Sequence, residues 1–179
     1  CGICRRGRVH DSRFRFGADL QPHACGVTMA GVGVDIRLKS IDNYITKAHG
    51  SPRALAPDEV ELLSFWMGVV IQYIRNRWPV ETGTSRDRWN FHLNPTPGQM
   101  GIVIENPMYY AEFVHRKGES GELWRSLIPE AWNAVKVLAL AALRKKIDEN
   151  EAKIKRLQLR FPGRSLREIT LDLFRGVEA

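Results

Sequence analysis

"NRWPVETGTSRDRWNFHL", residues 76–93, joins two stretches of different hydrophobic period. Upstream of it, nearly every residue from Leu62 to Ile74 is apolar, including Phe65, Trp66, Met67, Val69, Val70, Ile71 and Tyr73. Downstream, Trp89, Phe91 and Leu93 alternate with Arg88, Asn90 and His92, the pattern of a strand with one buried face. Pro79 disfavours helical geometry at Trp78 and has no backbone donor, so a helix is predicted to end there. Gly83 then supplies the freedom for a reversal straight into the strand.

The helix is predicted over 58–78, with Asp58 as its cap and Glu61 completing a capping box. Its apolar stripe wraps most of the circumference, which leaves no natural wet face in a small domain. A sheet can cover one side. Either the rest of the core encloses the other side, or another subunit does, and Phe65, Trp66, Val69, Val70 and Tyr73 are the candidate interface residues.

Around this joint the remaining elements fall into order. "VGVDIRLKS", 32–40, alternates as a half-buried strand. Gly31 and Gly33 do not make a dinucleotide loop, since the third glycine of that pattern would fall at Ile36 and the glycines should follow the strand. A short helix follows, capped by Ser40 and closed by Gly50, with Ile41, Tyr44, Ile45 and Ala48 on one side. Residues 51–57 read as a linker. "IVIEN" forms a hairpin with the Trp89 strand and is ended by Asn106-Pro107. Tyr109, Tyr110, Phe113 and Val114 share one side of a short helical turn, and a polar loop follows. A last long helix is predicted to begin near Pro129, with Ala131, Trp132, Val135, Leu138, Ala142 and Leu143 as its stripe. Beyond Arg144 it becomes highly charged, with Glu149/Lys153 and Glu151/Lys155 spaced as in an exposed helix and only Ile147, Ile154 and Leu157 as a seam. "FPGRS" breaks it, and a small helix capped by Ser165 closes the chain. The expected organisation is a basic N-terminal extension over 1–28, an α+β domain over 29–147 and a charged helical extension over 148–179.

The formal net charge is +7 in 179 residues, and its distribution decides what it means. Residues 1–28 hold five Arg against two Asp, 29–143 hold twelve basic against twelve acidic residues, and 144–179 hold ten against six. The excess therefore sits in the two ends rather than on the middle of the chain, which fits non-specific contact with nucleic acid better than base reading. No apolar run approaches the length of a bilayer span, and a soluble, non-secreted, membrane-free protein is expected. The odd cysteine count gives no closed disulfide framework. Cys1, Cys4, His23 and Cys25 form a weak candidate zinc set by ligand type alone. There is no nucleophile elbow, phosphate-binding loop or His-Glu-x-x-His pair. Glu112 and His115 supply half of a di-metal motif with no second half, and His92 has no sequence-placed carboxylate to activate it. The expectation is a protein without catalytic residues, cofactor or metal.

The quoted joint also resembles the tail-completion, or neck, proteins of long-tailed double-stranded DNA bacteriophages, similar to the gene-product-ten proteins of lambdoid phages. Members of that family carry a long helix ending in Pro-Val-Asp-Thr-Gly, a strand with Trp, a second strand, then Asn-x-x-x-Tyr-Ala and a C-terminal helix. Here Pro79, Val80, Glu81, Thr82 and Gly83 are followed by Trp89, then Asn106, Tyr109, Tyr110 and Ala111, then "SLIPEAWNAV". The order agrees over about residues 31–147, with Glu81 in place of Asp, Ser85 where an apolar residue is common, and His115 where Glu often stands. The resemblance implies an α+β fold, a small antiparallel sheet on a long central helix with a long C-terminal helix. It further implies a homo-oligomeric ring in the virion at the head–tail junction, made in the host bacterial cytoplasm. Its implied partners are other copies of the chain, neighbouring connector or head-closure and tail proteins, and genomic DNA passing through the lumen without sequence preference. A tail terminator or head-closure role, and a basic nucleic-acid-binding protein, are the alternatives.

Overall fold

The computed structural model describes residues 20–21, 31–79, 83–115 and 122–174. The candidate zinc set Cys1, Cys4, His23 and Cys25, and the turn residues Val80, Glu81 and Thr82, lie outside the described residues. The elements are β1 (Leu20–Gln21), β2 (Val32–Arg37), α1 (Lys39–His49), α2 (Pro57–Arg77), α3 (Gly83–Asp87), β3 (Asn90–Asn94), β4 (Gly101–Asn106), a 3-10 turn (Tyr109–Phe113), α4 (Leu123–Arg160) and α5 (Leu166–Phe174).

The fold is α+β, with an antiparallel sheet in the order β1-β2-β4-β3. Val32, Val34 and Ile36 of β2 and Ile102 and Ile104 of β4 point to one face, where they meet Leu63, Met67, Val70, Ile71 and Ile74 of α2 and Leu127, Ile128, Trp132 and Leu143 of α4 in a single core. Each such buried aliphatic side chain contributes about 1.5–3 kcal/mol. Phe91 and Leu93 share that face, half-buried, while Asn90, His92 and Asn94 are exposed, as the alternation predicts. Gly31 is required where β2 begins: a Cβ there would stand 2.4 Å from the Asn106 carbonyl oxygen. Gly50, at φ 86°, closes α1 in the left-handed conformation that glycine adopts without strain.

Several elements differ from their predicted form. α2 starts one residue early because Pro57 occupies its first turn, and the carboxylate that reaches back to the Ala56 N–H, at 2.8 Å, belongs to Glu59 rather than Glu61. Asp58 is freed from capping and bonds α4 instead. The helix does end where Pro79 requires, with Trp78 in extended geometry. Gly83 does not lead straight into the strand; it opens α3, and Trp89 stands just before β3. α1 begins at Lys39 without a side-chain cap from Ser40.

α4 begins at Leu123 and carries Pro129 in its interior. The buried series Leu123, Leu127, Ile128 and Ala131 holds those six extra residues in helical form despite the missing proline donor. By length and composition alone α4 qualifies as a membrane span, contrary to the reading of apolar runs above. Its buried side packs on α2 and α1, as a core helix does. The helix continues past residue 147 without a break. Ser165 caps α5 as expected: Ser165 N–H donates to Glu168 Oε2 at 2.9 Å and Glu168 N–H to Ser165 Oγ at 3.3 Å. In the 3-10 turn, Ala111 points inward, Tyr110 is half-buried, and Tyr109 and Phe113 are exposed, so the four predicted residues do not share one side.

Candidate functional site

α2 and α4 lie antiparallel. Asp58 at the start of α2 meets Lys146 Nζ at 3.1 Å and Asn150 Nδ2 at 3.0 Å, and Tyr73, four turns on, donates to Glu130 Oε1 at 2.7 Å. Phe65 and Val69 follow Asp58 at helical spacing and precede Tyr73 by two turns and one, so they lie on the flank of α2 that borders α4. Arg75, on the opposite flank, faces the hairpin and donates to Trp89 O at 2.9 Å.

The five interface candidates therefore divide. Val70 is fully buried in the domain's own core and is not available to a partner. Trp66 and Tyr73 are half-buried, the Tyr73 ring lying beneath the Arg77 guanidinium at 3.7 Å. Phe65 and Val69 remain uncovered, at 64% and 37% exposure. The same antiparallel register brings Leu138 of α4 to their level, and it too is 62% exposed. Between Glu61 and Arg75 the α2 sequence contains no charge, and between Glu130 and Arg144 α4 contains only Lys136. The middle of this helix pair is thus an uncharged apolar flank with charged residues at both ends.

The joint at Pro79 is organised by Ser85. Buried and central, its hydroxyl accepts from Trp78 Nε1 at 3.1 Å, and its carbonyl accepts from Asn106 Nδ2 at 2.8 Å. The side-chain oxygen of Asn106 accepts from the Met108 N–H at 3.1 Å, fixing entry into the aromatic turn. Trp78 and Trp89 meet edge to face at 4.9 Å. Four separated sequence features, Trp78, Ser85, Trp89 and Asn106, are one packed unit. A hydroxyl in place of an apolar residue at 85 is explained by the Trp78 indole N–H it satisfies, with Asn106 Nδ2 a second, longer donor to it at 3.3 Å.

A second polar centre was not legible. Arg53, in the segment read as a linker, is buried; it donates from Nε to Glu151 Oε1 and from Nη1 and Nη2 to Glu59, all at 2.8 Å. Glu151 Oε2 lies 2.9 Å from His49 Nδ1, and Asn150 Nδ2 donates to Glu59 Oε1 at 2.9 Å. Burial alone would push protons off Arg53, but the hydrogen bonds and charges of Glu59 and Glu151 outweigh it and raise its pKa. Glu151 is therefore not part of an exposed pair with Lys155. It is the residue through which α4 grips the α1–α2 connection.

His92 has a carboxylate neighbour after all: Glu105, diagonal to it across β3 and β4, at 2.8 Å on the open face of the sheet. Glu112 of the 3-10 turn is exposed. Among the described residues no group of three or more His, Cys, Asp and Glu could hold a metal ion. No protein-family model, curated protein or solved structure matches the chain.

Proposed function

We propose that the chain is a structural virion protein that assembles as a homo-oligomeric ring at the head–tail junction of a long-tailed bacteriophage. In this role it is a neck or tail-completion subunit through which double-stranded DNA passes. The observation that carries the reading is the uncharged flank of Phe65, Val69 and Leu138, left open in a fold whose elements follow the order of that family's motifs. Apolar area of this kind on a rigid helix pair is characteristic of a surface that is covered in the assembled state. A ring needs two different surfaces on each subunit. The exposed Tyr109 and Phe113 on the 3-10 turn supply a second apolar patch.

Neighbouring connector, head-closure and tail proteins are the partners of such a ring. Exposed Lys153, Arg156 and Arg160 on the distal part of α4 suit screened, sequence-independent contact with phosphates. Negative-stain electron microscopy of the purified full chain tests the reading. Annular particles with an opening wide enough for a DNA duplex are expected; only compact single subunits at every concentration would contradict it.

A further inference from the structure

Among the described residues β3 is the outer strand of the sheet and pairs only with β4. The phase of the ladder shows which of its backbone groups face outward. Leu38 N–H donates to Met100 O at 2.9 Å, extending the β2–β4 pairing beyond Arg37↔Gly101. The even-numbered residues of these two strands therefore exchange hydrogen bonds, and the odd-numbered residues of β4 turn to β3. Their partners there are Asn90, His92 and Asn94. Phe91 and Leu93 are left with N–H and C=O pointing away from the sheet. Independently, the Phe91 N–H donates to the Asn90 side-chain oxygen at 2.8 Å rather than to β4. No described residue bonds the Leu93 N–H or C=O outside the ladder.

Edge strands are ordinarily guarded by lysine, proline, a bulge or a covering segment. β3 has no lysine or proline, and its register with β4 is unbroken. Its sequence, Asn90-Phe91-His92-Leu93-Asn94, is nearly symmetric about His92. Antiparallel pairing with the same strand of a second copy, His92 opposite His92, places Phe91 opposite Leu93 and Asn90 opposite Asn94. In that register the mutually bonded pairs are Phe91 with Leu93, the residues whose groups are open. Their half-buried side chains lie on the helix-covered face and would cover one another across the seam, while the polar residues stay on the open face.

We infer that the β3 edge docks a second copy of this chain by two-fold antiparallel strand addition centred on His92, joining the two sheets into one. The contact is separate from the ring reading: a two-fold pair closes on itself, and it uses the sheet edge rather than the α2 flank. The Asn90 side chain acts as a guard that must release the Phe91 N–H.

Cross-linking of the full chain tests this, with Cys1, Cys4 and Cys25 replaced by Ser. In the non-bonded pair at the centre of the seam the two Cα atoms stand about 4.5 Å apart, close enough for a disulfide. A His92→Cys variant is expected to form a covalent dimer, dissolved oxygen taking the two electrons and two protons, at least tenfold faster than Asn94→Cys, whose two copies stand at opposite ends of the seam. Adding Leu93→Pro, which removes an outward donor together with a half-buried side chain of the seam while leaving the β3–β4 hydrogen bonds in place, should abolish the dimer, and adding Asn90→Ala should speed it. Equal rates for His92→Cys and Asn94→Cys would overturn the inference, as would slowing by Asn90→Ala. Repeating the His92→Cys reaction with Phe65→Ser and Val69→Ser separates the two proposals: the ring is lost there, and the cross-link is expected to persist.

Discussion

Arg53 Nε donates to Glu151 Oε1 at 2.8 Å, tying the α1–α2 connection to the distal half of α4. Both side chains are buried, and Glu151 is also held by His49. Removing one member of a buried ion pair leaves the other desolvated and unpaired, at a cost of about 3–5 kcal/mol. Glu151→Ala should lower stability by that amount in urea unfolding followed by tryptophan fluorescence. A loss below about 1 kcal/mol, the range of an exposed pair, would show that the network does not anchor α4.

Ser85→Ala removes the acceptor of the Trp78 indole N–H while leaving the backbone acceptor of Asn106 in place. One buried donor without a partner costs about 1–3 kcal/mol. The same unfolding measurement should show a loss in that range. No change would mean that the joint is held by the Trp78–Trp89 packing alone.

The Asp58–Lys146 pair sets a pH dependence. Partial burial pushes the Asp58 pKa up, but hydrogen bonds from Lys146 and Asn150 outweigh it and hold the carboxyl below its ordinary value. The hydrogen bond and charge of Asp58 raise Lys146. Asp58 therefore contributes stability above the ordinary carboxylate range, and loses it as pH falls through its lowered folded value. Lys146 contributes below the ordinary lysine range, and loses it as pH rises through its raised one. Because the pair is partly exposed, the effect is under about 1 kcal/mol. The stability difference between the wild-type chain and Asp58→Asn should be present at neutral pH and shrink progressively as pH falls below the ordinary carboxylate range; a difference that does not change with pH would contradict this assignment.

Elements with one strong period were readable before the structure. The β2 alternation, the α2 run stopped by Pro79, the hairpin and the Ser165 cap follow from local chemistry, and they appear as expected. What escaped depended on long-range burial. Nothing local marks Arg53 and Glu151 as a buried pair, because their partners are about a hundred residues apart; at helical spacing Glu151 and Lys155 look like any solvated pair. Pro129 suggested a helix start because its missing donor is harmless there, and the buried Leu123 and Leu127 outweighed that preference. Of the candidate surface, Phe65 and Val69 are exposed in the single subunit and Val70 is buried in its core; an all-round apolar helix gives no sign of which third faces its own core. Ser85 stood out only as a departure from a pattern, and its two donors come from elements 7 and 21 residues away.

The most direct measurement is the solution mass of the full chain by light scattering after size exclusion, over a concentration series, alongside Phe65→Ser/Val69→Ser. Both positions are exposed in the single subunit, so the variant should keep its unfolding free energy within about 0.5 kcal/mol of wild type. A ring-sized species is expected for the wild-type chain and should be absent in the variant, which should grow no further than the strand-paired dimer. Identical masses for the two proteins at every concentration would contradict the assignment of the α2 flank as an assembly surface.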